Sequence, residues 1–200
     1  MPADDEPPAL VVLLAGPSGC GKSHVAAASG LPVLALDDFY RDGADPDMPR
    51  TPDGVIDWED PASWDADAAV AALRTLCEGE AVVVPTYSFA DDGAVGHHEI
   101  RRERSPIVVA EGIFAADAIA PLEAAGLLAD ALLLRERRVV TFLRRLVRDL
   151  REGRKGRLRL LRMGWAKTRA EPAVIARQIA LGAHPISKAD ARARIARLVA

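Results

Sequence analysis

Apolar residues along the chain fall into short unbroken runs, and between these runs they recur at helical spacing. Leu10–Ala15 is almost purely aliphatic, which predicts a strand covered on both faces. Val33–Leu36, Ile107–Ala110 and Ala131–Leu134 repeat the pattern and predict further core strands, and Ala81–Val84 is another run of β type. Lys22–Ser29 reads as a helix. Ala66, Ala69, Val70, Leu73 and Leu76 keep helical spacing, and the preceding Asp60–Pro61 suits an N-cap followed by proline at the first helical position. A second stripe, Val139, Phe142, Leu143, Leu146, Val147 and Leu150, predicts a helix over Val139–Arg151. Ser187 with Asp190 predicts a capping box that opens a last helix ending near Val199. Asp42–Pro61, rich in Asp, Pro and Gly, predicts a long functional loop, and Asp91–Gly96 a turn or flexible loop. Strands alternating with helices define an α/β chain with a parallel sheet and helices on both faces. Residues 1–8, acidic and proline-rich, predict a disordered tail ahead of a single domain over residues 9–200.

The first buried strand leads into Gly16-Pro17-Ser18-Gly19-Cys20-Gly21-Lys22-Ser23, a full match to the phosphate-loop pattern G-x-x-x-x-G-K-[ST]. Each part has a physical task. Gly16, Gly19 and Gly21 let backbone N–H groups approach phosphate oxygens with no Cβ in the way. The helix that follows points its positive end at the same anion. Lys22 reaches the β- and γ-phosphates, and the Ser23 hydroxyl ligates Mg²⁺. Ser18 and Cys20 fill positions the pattern leaves free, and Cys20 reads as a filler rather than a reactive thiol. The plain alternative is a glycine-rich turn without a ligand, but the loop follows a strand and opens a helix, as phosphate binding requires.

In a doubly wound sheet, ligands bind beyond the carboxyl ends of the strands. Val33–Leu36 ends in Asp37 and Asp38, and Ile107–Ala110 ends in Glu111 and Gly112. A parallel sheet therefore brings the phosphate loop, Asp37 and Glu111 to one crevice. Asp37 suits a proton acceptor that also orients an attacking hydroxyl, and Glu111 a carboxylate for Mg²⁺, with Asp37 a further candidate ligand. Asp38 reads as a solvated acid in a turn.

Charge sharpens this picture. The formal net charge is only −3, yet residues 1–100 carry 19 Asp and Glu against 4 Lys and Arg, and residues 101–200 carry 10 against 22. Carboxylates for metal and proton handling in one half, with arginines for phosphate in the other, would produce this split. On the predicted helix Val139–Arg151, Arg144, Arg145, Arg148 and Arg151 lie opposite the apolar stripe, and Gly153-Arg154-Lys155-Gly156 follows. Glycine-flanked cations suit a lid that closes over a triphosphate and supplies transition-state charge, although each arginine taken singly could be part of a solvated basic face. A nucleic-acid surface would also be basic, but no nucleic-acid motif accompanies these charges.

With these residues assembled, the chain resembles the uridine–cytidine kinase family of P-loop kinases, related to phosphoribulokinase and pantothenate kinase. GPSGCGKS, LDDFYRD, DPASWD, VPTYSF, VVAEGIF and FLRRLVRDLREGR carry the resemblance in order over most of the chain. It implies a three-layer P-loop NTPase fold with a parallel sheet of about five strands, an arginine-rich lid over residues 150–165, ATP or GTP as donor, and Mg²⁺. It also implies Asp37 as the base, Asp65 and Tyr87 on the nucleoside together with Tyr40 of the same D-x-F-Y motif, and Glu111 supporting the metal. Arg145, Arg148 and Arg154 would be the lid and phosphate arginines. The acceptor implied is the 5′-hydroxyl of uridine or cytidine. Two features depart from the family: Ser88 stands where it has Asp, and His97 and His98 lie ten residues after Tyr87 rather than close to it. These histidines read as exposed loop residues, and Gly182-Ala183-His184-Pro185 as a candidate adenine loop.

Other readings stay open on the residues alone: a kinase of a sugar or vitamin precursor, and an ATP-binding regulatory protein without catalysis. A GTPase switch is disfavoured because no Asp is followed by Gly three residues later. The expected partner is a small-molecule substrate, with neither nucleic acid nor membrane, and nothing in the sequence indicates a homo-oligomer. Two cysteines and no leader-like segment point to the cytoplasm.

Overall fold

A computed structural model describes residues 7–135 and 172–199 of the chain. Five strands form one parallel sheet: β1 (Leu10–Ala15), β2 (Val33–Ala35), β5 (Ile107–Glu111), β6 (Leu128–Leu134) and β7 (His184–Ile186), in the spatial order β2-β5-β1-β6-β7. β1 occupies the centre because it is apolar on both sides. Val11, Leu13 and Ala15 face one layer of the core, and Val12 and Leu14 face the other. Truncating a fully buried leucine such as Leu13 to alanine should cost about 2–5 kcal/mol.

Helices cover both faces, giving three layers. On one face pack α2 (Ala66–Glu78), α3 (Ile119–Ala124) and α4 (172–180), and on the other α1 (Lys22–Ala27) and α5 (Lys188–Val199). Ala69, Val70, Leu73 and Leu76 of α2 are buried as their spacing predicts, whereas Ala66 is only partly covered. The long arginine side chain of Arg194 ties α5 to the buried Asp130 of β6, Nε to Oδ2 at 2.5 Å. The capping box forms, with Asp190 N donating to Ser187 Oγ and Ser187 Oγ donating to Asp190 Oδ2.

Four sequence expectations need correction. Asp60–Pro61 does not open α2; it caps a single 3₁₀ turn, Pro61–Ser63, and α2 starts at a second cap, Asp65, whose carboxylate accepts from Ala68 N at 2.9 Å. Asp91–Gly96 is largely strand: β3 (Ala81–Ser88) and β4 (Gly93–Arg101) form an antiparallel hairpin outside the main sheet. His97 and His98 consequently lie on β4 and not in a loop. The pattern concealed β4 because most of its side chains on both faces are exposed, so no apolar alternation marks it. Finally, His184 and Pro185 belong to edge strand β7, so an adenine loop cannot include them as loop residues. Residues 1–6 of the expected tail, the helix Val139–Arg151, Arg144, Arg145, Arg148, Arg151, Arg154 and the expected lid lie outside the described residues.

Candidate active site

The carboxyl ends of β1, β2 and β5 lie side by side, and the chain leaving each one carries a functional group. After β1 the phosphate loop turns through positive-φ glycines at Gly16, Gly19 and Gly21, and no side chain caps the helix it opens. Gly16 is forced by space as well: a Cβ there would sit 2.8 Å from Leu134 O and 2.9 Å from Cys20 Sγ. Cys20 is completely buried and packs beneath the loop, consistent with a filler. Lys22 is 7% exposed, and its ammonium donates to Gly16 O at 3.0 Å and to Pro17 O at 3.4 Å. These carbonyls hold the cation at the loop it serves.

The Ser23 hydroxyl donates to Glu111 Oε1 at 2.7 Å, joining the start of α1 to the end of β5 across 88 residues of sequence. Asp37 sits on the 3₁₀ turn Leu36–Phe39 directly after β2. Burial pushes its carboxyl above the usual carboxylate range; the Lys22 ammonium opposes this, Glu111 and Asp38 add to it, and the backbone N–H of nearby Ile113 opposes it again. The backbone after β5 approaches this turn so closely that only glycine fits. A Cβ on Gly112 would lie 2.8 Å from Leu36 Cβ and 3.4 Å from Asp37 Oδ1. Lys22, Ser23, Asp37 and Glu111 are thereby assembled from three strand ends, as the sequence suggested.

The acceptor side is built by long-range ties. Asp38, read from the sequence as a solvated acid, instead accepts from Tyr87 N at 3.0 Å and faces His98 Nε2 at 3.9 Å. Burial raises its carboxyl, with the Tyr87 amide and His98 opposing. His98 Nδ1 in turn lies 2.9 Å from Thr86 Oγ1. One carboxylate thus fastens the hairpin to the turn that carries Asp37. Tyr87 OH donates to Arg41 O at 3.3 Å, and Tyr40 OH donates to Trp58 O at 3.1 Å. Burial holds the Tyr40 hydroxyl well above its ordinary range, so it remains a neutral donor. Tyr40, Trp58, Tyr87 and Phe89 pack against one another with ring centroids 5.1–6.0 Å apart. Asp65 stands beside this region as the cap of α2, tethered by the bond from Asp65 N to Phe39 O. Sequence reasoning passed over Trp58 and set His98 aside as an exposed loop residue; a tryptophan inside an otherwise polar loop was the available signal for the first, and pairing of β4 with β3 the signal for the second.

The residues fit Mg²⁺. The donors near the phosphate loop are hard oxygens, a hydroxyl and two carboxylates, and among the described residues no cluster of three or more His, Cys, Asp or Glu forms a cage of its own. That is the arrangement Mg²⁺ favours, with one or two protein carboxylates completed by water and phosphate oxygens.

A parallel α/β sheet whose central strand runs through a phosphate loop into a helix, with acidic groups at the two adjoining strand ends, defines a P-loop nucleotide-binding protein. Residues 11–159 match the Phosphoribulokinase / Uridine kinase family, and the chain belongs to that family. Among its relatives, the uridine kinase of Chloroflexus aggregans is 31% identical over 111 residues, which cover 52% of each chain. The inorganic pyrophosphatase TTM1 of Arabidopsis thaliana is 34% identical over 110 residues, 53% of this chain but only 16% of its own. The chain therefore spans about half the length of the Chloroflexus relative and far less of the plant one. A crystal structure of a candidate fructose transport system kinase from Silicibacter sp. TM1040 superposes with a TM-score of 0.64 over 88% of both chains at 21% identity, a likeness of fold. No helix among the described residues is long and apolar enough to cross a membrane.

Proposed function

We propose that this chain is an ATP-dependent kinase that transfers the γ-phosphoryl group to a hydroxyl of a small molecule, with a pyrimidine nucleoside as acceptor. The observation that carries the reading is the Ser23–Glu111 hydrogen bond, which joins the phosphate loop to the second acidic strand end with Asp37 beside both. Asp37 accepts the proton of the acceptor hydroxyl and aims its oxygen. That oxygen bonds to the γ-phosphorus as the bond to the β–γ bridging oxygen breaks, and ADP leaves with the electron pair. Burial makes Asp37 a stronger proton acceptor than a solvated carboxylate. Lys22 neutralises charge on the β- and γ-phosphates, and Ser23 and Glu111 would hold Mg²⁺, which when bound spreads the remaining charge. Tyr87, Tyr40 and Asp65 would border the acceptor, and Arg145, Arg148 and Arg154 would supply positive charge for the triphosphate.

A second acceptor class, a small polyol, is favoured by the aromatic cluster. Five of its six ring pairs meet edge-on and the Tyr40–Tyr87 pair is tilted, which makes an apolar wall against which the C–H face of a polyol can rest. Coupled ADP release with ATP and Mg²⁺, run with uridine, cytidine and a panel of sugars and other alcohols, separates the two. Stimulation by a pyrimidine nucleoside supports the first reading, and stimulation only by a polyol replaces it with the second. ATP binding with no stimulation by any alcohol would overturn both.

A further inference from the structure

Gln178 of α4 is 1% exposed, among the most deeply buried polar side chains described. Its Nε2 donates to Ile113 O at 2.6 Å. A carbonyl can only accept, so the amide nitrogen must be the atom that faces it. The other end, Oε1, is buried with no hydrogen-bond partner among the described residues. An apolar side chain of equal volume could not make the bond to Ile113, which is the hydrogen bond this amide forms among the described residues.

Ile113 stands two residues beyond Glu111 and directly after Gly112, whose N–H donates to Leu14 O at 3.3 Å and whose backbone packs so tightly on the Asp37 turn that a Cβ there would lie 3.4 Å from Asp37 Oδ1. Adjacent residues thus carry both contacts: Gly112 abuts the candidate base, and the Ile113 C=O is held by Gln178. The helix that supplies Gln178 is seated independently, because the adjacent Arg177 makes a two-pronged ion pair with Asp117 in the 3₁₀ turn Ala115–Ala118. Val174 and Ile175 add apolar packing against the same core face.

We propose that Gln178 is a positioning residue for phosphoryl transfer: it clamps the backbone at Ile113 so that Gly112 stays packed on the Asp37 turn and keeps that carboxylate aimed at the acceptor oxygen. The inference rests on the reading of Asp37 as the base. Gln178 touches neither substrate nor nucleotide in this role, so its loss acts on turnover and leaves binding alone.

The test is Gln178→Met, which preserves volume and removes the hydrogen bond, with Arg177–Asp117 still anchoring the helix. In hydrogen–deuterium exchange of the free protein, the Gly112 amide, which donates to Leu14 O, should exchange at least about tenfold faster, as expected when one bond of a local network is lost. Amides of α5, on the opposite face of the sheet, should be unchanged. In ADP release with ATP, Mg²⁺ and the most stimulating alcohol of the panel, kcat should fall on the order of 10- to 100-fold. KM for ATP and for the alcohol should stay within about twofold. In an Asp37→Asn background the same change should do almost nothing further to kcat. Unchanged Gly112 exchange, or a kcat loss of equal size in both backgrounds, overturns the proposal. Full turnover by Asp37→Asn alone would instead remove Asp37 as the base, and the two failures are read from different variants.

Discussion

The two sides of the site are built in different ways. On the phosphate side, Gly16–Ser23 and Glu111 hang directly from central, fully buried strands, and one short bond, Ser23 to Glu111, links them. On the acceptor side, the loop after Tyr40 and the β3–β4 hairpin stand outside the sheet and are joined by scattered ties, among them Asp38 to Tyr87, Tyr87 to Arg41, Gly43 to Asp92 and Tyr40 to Trp58. A phosphate is the same ligand in every kinase, so a rigid, locally encoded cradle serves it. An acceptor differs from one kinase to the next, and a peripheral hairpin and loop can change without disturbing the sheet.

The sharpest way to break this contrast is at Asp37, where the two sides meet. Asp37→Asn should lower kcat by about 10²–10⁴-fold with ATP affinity largely retained, measured by ADP release alongside equilibrium ATP binding. The same variant has a stability signature of the opposite sign. The folded chain holds the Asp37 proton more tightly than the unfolded chain does, so this group favours folding most at low pH. That contribution is lost as pH rises from about 4 through the raised folded value. Asp37→Asn should therefore melt higher than the parent at pH 7, with the gap vanishing below about pH 4. A lower melting temperature at pH 7 would show that the Lys22 charge and the nearby Ile113 N–H outweigh burial.

Lys22→Ala should act on the phosphate side alone. ATP affinity should drop by about tenfold or more, as for the loss of a charge-assisted contact worth about 1.5–3 kcal/mol, while the affinity for the acceptor alone is unchanged. Calorimetric titration of each ligand checks both halves. Asp38→Ala should do the reverse: with the hairpin unfastened from the Asp37 turn, acceptor KM should rise about five- to tenfold, the cost of a charged hydrogen bond of ~1–1.5 kcal/mol, and KM for ATP should not move. A matched rise in both would mean that the hairpin is coupled to the phosphate loop. The smallest effect is expected from Asp65→Ala, which loses the α2 cap at a cost of about 1 kcal/mol, seen as a modest drop in melting temperature. A rise in acceptor KM beyond what that destabilisation explains would put Asp65 on the acceptor as well.

The phosphate side was legible because its signals are local. Six aliphatic residues in a row demand a buried strand, and the glycines, Lys22 and Ser23 sit within one turn of its end. Asp37 and Glu111 were readable for the same reason, since each directly follows a short apolar run, and a parallel sheet aligns such ends. Asp38, His98 and Gln178 were not readable. Asp38 looks like any acid after a strand, and its partner Tyr87 is 49 residues away. His98 reaches it only because β4 pairs with β3, a strand whose exposed faces leave no hydrophobic alternation to read. Asp60 and Asp65 illustrate a nearer ambiguity: both are plausible caps, and the backbone, turning once at Pro61–Ser63, uses each for a different turn.

Family, the core strands β1, β2, β5 and β6 and the phosphate cradle thus followed from the chain's own order of residues, because buried strands and glycine turns are set by neighbours a few positions away. The edge strand β7, strand order, the tie of the hairpin to Asp38, the aromatic wall and the clamp of Gln178 on Ile113 were decided only in three dimensions. Each depends on contacts between residues tens of positions apart, whose pairing is selected by which surfaces the core leaves adjacent.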